Sequence, residues 1–195
     1  STSISAGLGI AQGRDILGED YKVVSVIGDG ALTGGMAYEA LNNAARMKKN
    51  FIIILNDNKM SISENVGGMS KYLSGIRTGA GYNDLKRQIT DLLEKVPVAG
   101  PRMIRRISMI KQGLKQLLIP GMLFEDMGIT YLGPVDGHDV KQLSRVLNEA
   151  KRLDHAVLVH VLTKKGKGYP YAENDKEGAW HGVAPFDPNS GKPLA

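Results

Sequence analysis

The sequence predicts a doubly wound α/β fold, in which helices cover both faces of a mostly parallel sheet. The first observation is three short, continuous apolar runs rich in β-branched residues, at positions 23–27, 51–55 and 157–161. Such runs are typical of parallel strands that are buried on both faces. The second observation is that apolar patterns with helical period lie between the runs, and this alternation of strand and helix is typical of the class.

The helical elements follow from their apolar spacing. Residues 1–18 resemble a helix already in progress, and because the first residue is not Met we expect a piece of a longer protein. Asp139, with Gln142 three residues later, has the spacing of a capping box and predicts a helix start. Two apolar stripes mark helices, one formed by Met36, Ala40, Leu41 and Ala44 and the other by Val140, Leu143, Leu147 and Ala150.

Length and composition are those of one globular domain. The chain has 195 residues, 42% of them hydrophobic and 23% charged, so wholesale disorder is not expected. There is no Cys, which excludes disulfides and thiolate metal sites. The sequence has neither an apolar run of about 18 residues nor a signal peptide, so we expect a cytoplasmic protein without membrane contact.

The segment 65–120 interrupts the α/β pattern and predicts a helical, flexible insertion or lid over the sheet within the single domain 1–195. It is rich in Gly and Pro, and between Lys86 and Lys115 it holds eight basic and two acidic residues. Its basic helix, 102–115, is most simply a solvated face, although a phosphorylated ligand, a nucleic acid or a membrane surface would also suit it. We expect low local stability here.

Polar side chains directly follow two of the predicted strands. Gly28, Asp29 and Gly30 come directly after the first strand, and Asn56, Asp57 and Asn58 come directly after the second. Ligands of open parallel sheets bind at the carboxyl ends of strands. If the two strands are neighbours, Asp29 and Asn58 lie side by side, and their oxygens are hard ligands suited to Mg²⁺. The flanking glycines let a diphosphate approach the backbone, and a helix beginning near Thr33 can direct its amides at that group.

Two other interpretations of this motif compete with a metal site. A dinucleotide fingerprint fits poorly, because the glycines at 28, 30 and 34 are spaced one residue too widely and no acidic residue follows at the usual distance. A Gly-Asp-Gly turn without a ligand is common. The presence of polar groups after both strands favours the metal site over either.

Four sequence motifs resemble those of a known family. They are GDGALTGGMAYEALN at 28–42, ILNDNKMSISENVG at 54–67, YLGPVDGHD at 131–139 and TKKGKGY at 163–169. In these motifs the chain resembles the 1-deoxy-D-xylulose-5-phosphate synthases, which are thiamine-diphosphate enzymes. Transketolase is the close relative and shares the GDG motif, but the second of the four motifs fits the synthases better.

The resemblance implies a role for particular residues. Asp29 and Asn58 would hold Mg²⁺ through their side chains and Met60 through its carbonyl oxygen. Gly30 and Ala31 would present backbone to the diphosphate of the cofactor. Lys165 and Tyr169 would lie against thiamine diphosphate, and His181 would stand near the reacting carbon.

The resemblance also implies a reaction. Members join pyruvate to glyceraldehyde 3-phosphate with loss of CO₂, and the product feeds isoprenoid, thiamine and pyridoxal synthesis. They are homodimers, and the Glu that activates the cofactor belongs to another domain, so this chain by itself is expected to be inactive. Ketol transfer of the transketolase type is the alternative, and a non-catalytic module that binds phosphate or nucleic acid is the alternative of another class.

Several of these residues also have plainer interpretations. Lys164, Lys165 and Lys167 would equally form a solvated cluster, and His181 would equally be an ordinary surface residue. His138 is better explained by a helix-entry turn than by catalysis. His160, inside a strand, is expected to be a hydrogen-bonded core residue.

Overall fold

The computed structural model describes residues 2–58, 67–78, 122–175 and 178–194. Within these ranges the strands are β1 (Val24–Gly28), β2 (Phe51–Asp57), β3 (Thr130–Asp136) and β4 (Ala156–Leu162). The helices are α1 (Ser3–Leu17), α2 (Asp29–Leu32), α3 (Gly35–Ala44), α4 (Gly68–Thr78), α5 (Met122–Asp126), α6 (Val140–Ala150) and α7 (Pro170–Glu173), and a 3₁₀ turn spans Ala179–His181.

The described strands form one parallel sheet in the order β1-β2-β4-β3. The predicted α/β fold is confirmed, and so are the three predicted strands, each within a residue or two of its expected ends. Strand β3 was not predicted as a strand, because Gly133 and Pro134 interrupt it and its side chains alternate between buried and partly exposed positions. A cis peptide bond joins these two residues.

Two apolar layers hold the sheet between helices. On one face, alternate residues of the strands pack against α1, α3, α4 and α5, with Phe51, Ile53 and Leu55 fully buried. On the other face, β2 and β4 pack against α6. Val24 and Val26 of β1 point to this second face, and 48% and 57% of their surfaces are exposed.

The predicted helices are present, but two of their assigned core residues are not in the core. The helix expected at 1–18 is α1. Met36 and Val140 were assigned to apolar stripes, yet 47% and 71% of their surfaces are exposed. Both lie in the first turn of a helix, where the side chain projects beyond the layer that the following turns cover. The cap of α6 is confirmed, since Asp139 accepts a hydrogen bond from the amide of Gln142 at 3.0 Å.

The connection after β1 differs from the prediction of one helix beginning near Thr33. A single turn, α2, comes first, and α3 begins at Gly35 with Gly34 as its N-cap. Thr33 closes α2, since its hydroxyl donates to the carbonyl of Gly30 at 2.7 Å.

The predicted insertion at 65–120 lies mostly outside the described residues, and so does its basic helix at 102–115. Of this segment the structure describes α4, whose Leu73 and Ile76 are each 1% exposed within the first apolar layer. The lid interpretation of the remainder stays a prediction.

Candidate functional site

The carboxyl ends of the four described strands meet at one edge of the sheet, and this edge collects most of the predicted site residues. The chain proceeds in one direction from β1 to β2 and on past β4 to β3, and it then turns back to β4, so the direction of the connections reverses within this sheet. Open α/β sheets bind their ligands where the strand order reverses. We therefore take this edge as the candidate site.

Asp29 stands at the end of β1 and is the first residue of α2. It is 3% exposed. Beside it, among the described residues other than its two chain neighbours, none has an atom within 4 Å of the position that a Cβ would occupy on Gly28. A ligand can therefore come close to the backbone here. The N-cap of α3, Gly34, has no side chain to bind the first-turn amides of that helix, and its carbonyl accepts from the amide of Ala37 at 3.0 Å. The amides of Gly35 and Met36, which precede Ala37, can serve as donors for an anion.

The end of β2 lies next to the end of β1. Gly28 pairs in register with Asn56, so Asp29 and Asn58 follow neighbouring strands, which is the condition on which their expected closeness depends. The side-chain carbonyl oxygen of Asn56 accepts from the hydroxyl of Thr163 at 2.7 Å, which ties β2 to the residue after β4. Met60, the third predicted metal ligand, lies outside the described residues.

A buried polar chain lies below this edge. His160 is fully buried, and its Nε2 is 2.9 Å from the carboxylate of Asp57 while its Nδ1 is 2.7 Å from the hydroxyl of Tyr131. The expectation that His160 is a hydrogen-bonded core residue is confirmed. Asp57 and Tyr131 were not singled out from the sequence. Asp57 lies two residues after Leu55, which pairs with His160, and Tyr131 pairs with Leu158, two residues before His160, so the three polar residues share one face of neighbouring strands.

The turn after β3 supports the turn after β4. The imidazole Nε2 of His138 accepts from the backbone amide of Lys164 at 2.8 Å, which agrees with a structural role for His138. Gly137 permits this approach, because a Cβ there would lie 2.6 Å from side-chain carbons of both Thr163 and Val161.

The lysine-rich turn at 164–169 is organised by Glu173. The carboxylate of Glu173 accepts from the ammonium of Lys164 and, at 2.6 Å, from the amide of Gly168. The bond from Lys164, the bond from Gly168 and the charges of Lys164 and Lys167 lower the pKa of Glu173 from 4.5 to about 2. The solvated-cluster interpretation therefore fits Lys164, whose charge is neutralised within the turn.

Lys165 and His181, two predicted site residues, are brought together. The ammonium of Lys165 is 2.8 Å from the Nδ1 of His181. Since an ammonium has donors and no acceptor, Nδ1 accepts, and the proton of the neutral imidazole is on Nε2. Asp175 shapes the turn that carries His181 by accepting from the amides of Gly178 and Trp180, at 3.1 and 2.8 Å.

Tyr169 is part of an aromatic cluster. Its ring centroid is 5.1 Å from that of Trp180 and 5.7 Å from that of Phe186, and its hydroxyl donates to the carbonyl of Pro188 at 3.0 Å. Desolvation raises the pKa of Tyr169, and Tyr171 and Asp187 add to the effect. The predicted contact of Tyr169 with a cofactor stays a prediction.

The residues at the edge have the chemistry that a magnesium diphosphate requires. One buried carboxylate and one amide, at the ends of paired strands, offer the hard oxygen ligands that Mg²⁺ prefers. Within the described ranges, His, Asp and Glu form no group of three that would hold a metal by themselves. Mg²⁺ takes one or two carboxylates and fills its octahedron with phosphate oxygens and water, so the small donor set fits.

Comparisons with known proteins agree with this fold. The solved transketolase of Campylobacter jejuni matches with a TM-score of 0.52 and 23% identity, over 86% of this chain and 20% of that chain. The match shows that the chain has an α/β fold of the class that this transketolase also has. The described residues contain no helix that is long and apolar enough to span a bilayer.

Within that class, the chain belongs to the 1-deoxy-D-xylulose-5-phosphate synthase family, whose members depend on thiamine diphosphate. The family model of that description matches residues 1–163. The chain is 55% identical over 192 residues to the synthase of Caldanaerobacter subterraneus, and this covers 98% of the chain and 31% of the relative. It is 54% identical over 194 residues to that of Lachnoclostridium phytofermentans, with 100% and 31% covered. The chain thus spans about a third of the length of these relatives.

The carboxylate of Glu173 should titrate far below an ordinary Glu, with a midpoint near its pKa of about 2 instead of 4.5. Because the folded-state pKa is lowered, the contribution of the turn to stability is complete above pH 4.5 and is lost as the pH falls toward 2. Carbon NMR of the side-chain carboxyl, followed from neutral pH downward while the protein stays folded, measures the midpoint.

Lys164→Met removes the largest cause of this shift and should move the midpoint upward. Lys141→Met, on the exposed side of α6, is the matched control and should leave it unchanged. A midpoint near 4.5 in the unaltered protein would contradict the assigned geometry of the turn.

Proposed function

We propose that this chain is the part of a thiamine-diphosphate-dependent synthase that binds the diphosphate and Mg²⁺. The reaction is the condensation of pyruvate with glyceraldehyde 3-phosphate, with loss of CO₂, to 1-deoxy-D-xylulose 5-phosphate. The observation that carries the proposal is the buried carboxylate of Asp29 at the end of β1, next to the end of β2 that leads into Asn58. The identity to synthases over nearly the whole chain supports the choice of reaction.

The residues at the edge act on the cofactor by anchoring it. Asp29 and Asn58 hold Mg²⁺ through their side-chain oxygens, and Met60 contributes its carbonyl oxygen. Gly28, Gly30 and Ala31 allow the diphosphate to approach, and the first-turn amides of α3 donate to it. When bound, thiamine diphosphate supplies the electron sink for the carbon–carbon chemistry.

His181 acts on the substrate side of the edge, beside Lys165, which together with Tyr169 lies against thiamine diphosphate. With Nδ1 occupied by Lys165, His181 offers an Nε2–H that can donate to a substrate oxygen. Lys165 adds a positive charge within 2.8 Å of that imidazole, which favours an anionic substrate such as pyruvate or a phosphate ester.

The remainder of the enzyme supplies what this chain lacks. We propose that the Glu that activates the cofactor lies in another domain and that the complete protein is a homodimer in the cytoplasm. The half-exposed Val24 and Val26 offer an apolar surface for such a domain or a second copy to cover, since parallel sheets are normally covered on both faces.

The proposed reaction is tested with the complete enzyme that carries this chain. Given pyruvate, glyceraldehyde 3-phosphate, thiamine diphosphate and Mg²⁺, it should release CO₂ from pyruvate in step with product. Ketol transfer between sugar phosphates without CO₂ would instead identify a transketolase. Thermal stabilisation by an oligonucleotide, and not by thiamine diphosphate with Mg²⁺, would identify a nucleic-acid-binding module.

Asp29→Ala in the complete enzyme should abolish Mg²⁺-dependent binding of thiamine diphosphate, because the site loses its anchoring carboxylate. Isothermal titration calorimetry measures this binding directly. Asp20→Ala is the control, since the Asp20 side chain is 99% exposed before β1. Unchanged binding in Asp29→Ala would remove Asp29 from the metal site.

His181→Ala should lower turnover at least about tenfold, the lower range for general acid–base assistance. The affinity for thiamine diphosphate should change little, because the metal and diphosphate contacts lie elsewhere along the edge. Steady-state kinetics and calorimetry separate the two effects. His155→Ala, at the opposite end of β4, is the matched control.

The opposite pattern, near-normal turnover with weakened cofactor binding, would reassign His181 to anchoring. No effect on either quantity would make it an ordinary surface residue.

A further inference from the structure

The side chains of Tyr131, His160 and Asp57 form a hydrogen-bonded chain directly below the carboxyl end of β2. This polar chain crosses the adjacent strands β3, β4 and β2. The side chains of Tyr131 and His160 are 0% exposed and that of Asp57 is 1% exposed. A carboxylate is an acceptor, so the Nε2–H of His160 donates to Asp57, and Nδ1 is hydrogen-bonded to the hydroxyl of Tyr131. This arrangement uses both ring nitrogens.

Aromatic packing holds Tyr131, the end of the polar chain that lies farthest from Asp57. The ring of Tyr131 stacks on that of Phe124 with centroids 6.1 Å apart and planes 8° apart, and Phe124 in turn meets Tyr72 of α4 at 6.2 Å. Gly133 brings β3 close to His160, because a Cβ at that position would lie 2.6 Å from the carbonyl oxygen of His160. His160 therefore has little freedom to move away from Asp57.

A buried ionic group is a costly way to fill a core. A carboxylate and an imidazole removed from water lose hydration, and apolar residues of similar volume often give equal or greater stability. A satisfied polar chain differs from an apolar core in that it permits one arrangement of its members. The polar chain of Tyr131, His160 and Asp57 therefore fixes the positions of the residues at the end of β2.

The geometry that it fixes is that of the residue before Asn58. The side chain of Asp57 is bound by His160 on one side, and the carbonyl oxygen of Asp57 accepts from the amide of Thr163 at 2.9 Å on the other. Consecutive Cα atoms are about 3.8 Å apart across a trans peptide bond, so Asn58 directly inherits this constraint.

We propose that Tyr131, His160 and Asp57 are positioning residues, which hold Asn58 where its amide oxygen binds the divalent cation together with Asp29. The inference rests on the proposed function and assigns these three residues a role in metal affinity in addition to core stability. Substitution of the residues that hold metal ligands in place typically changes the affinity for the metal by about 10- to 100-fold.

The experiment measures the Mg²⁺ concentration that gives half-maximal binding of thiamine diphosphate to the complete enzyme, by calorimetry. His160→Leu removes the hydrogen bond that His160 donates to Asp57 and should raise this concentration about tenfold. His160→Gln keeps an N–H that can reach Asp57 and should stay within about threefold of the unaltered enzyme, a rescue by the conservative change. Tyr131→Phe removes one hydroxyl, keeps the ring packing, and should raise the value at least about threefold.

Ile53→Val is the matched control, because Ile53 is fully buried on the same face of β2 and makes no polar contact there. It should lower the melting temperature without moving the Mg²⁺ requirement, since such a change removes one buried methyl group. If His160→Leu does not fold, Tyr131→Phe decides the question.

An Mg²⁺ requirement in Tyr131→Phe that is no higher than in Ile53→Val overturns the positioning role and leaves the proposed function intact. An unaltered enzyme that binds thiamine diphosphate without any dependence on Mg²⁺ overturns the proposed function, and this inference with it.

Discussion

Strand β2 is hydrogen-bonded to β1 on one side and to β4 on the other, and it is covered on both faces, so its register constrains the whole carboxyl edge. Gly28 pairs with Asn56, and Asp57 pairs with Leu162. These pairings place the loops after β1, β2 and β4 next to one another at the carboxyl edge. A slip of one residue would turn Asp57 away from His160 and place its carboxylate on the opposite face. The apolar cores on the two faces exclude that slip because it would also exchange their side chains.

The charges along this edge differ between its two sides. The buried part carries the carboxylates of Asp29, beyond β1, and Asp57, within β2. In the turn beyond β4, Glu173 neutralises Lys164, and Lys165 adds a positive charge beside His181. A ligand that is cationic toward β1 and β2 and anionic elsewhere suits this distribution, and a metal diphosphate has that character. In the proposed site a small number of protein ligands would suffice, since phosphate oxygens and water complete the coordination of Mg²⁺.

The extent to which the sequence predicts these features depends on how local their causes are. The strands at 51–55 and 157–161 are predicted because a buried parallel strand has a continuous apolar run. The break between α2 and α3 is not, since Gly34 and Gly35 offer no capping side chain to mark a helix start. The contact of Asp57 with His160 joins residues 103 positions apart. It follows from the order β2-β4-β3, and residue spacing carries no information about that order.

The edge therefore combines two kinds of support. The side where we propose the metal depends on buried hydrogen bonds between strands, and the loss of one such bond with a buried polar group costs about 1–3 kcal/mol. The side with Lys165 and His181 depends on two acids of one short segment, Glu173 and Asp175, which bind loop amides in partly solvated surroundings. Contacts of this second kind are screened by water and adjust at low cost. The rigid half is suited to holding a metal at fixed distances, and the adjustable half is suited to groups that must meet a substrate and release a product.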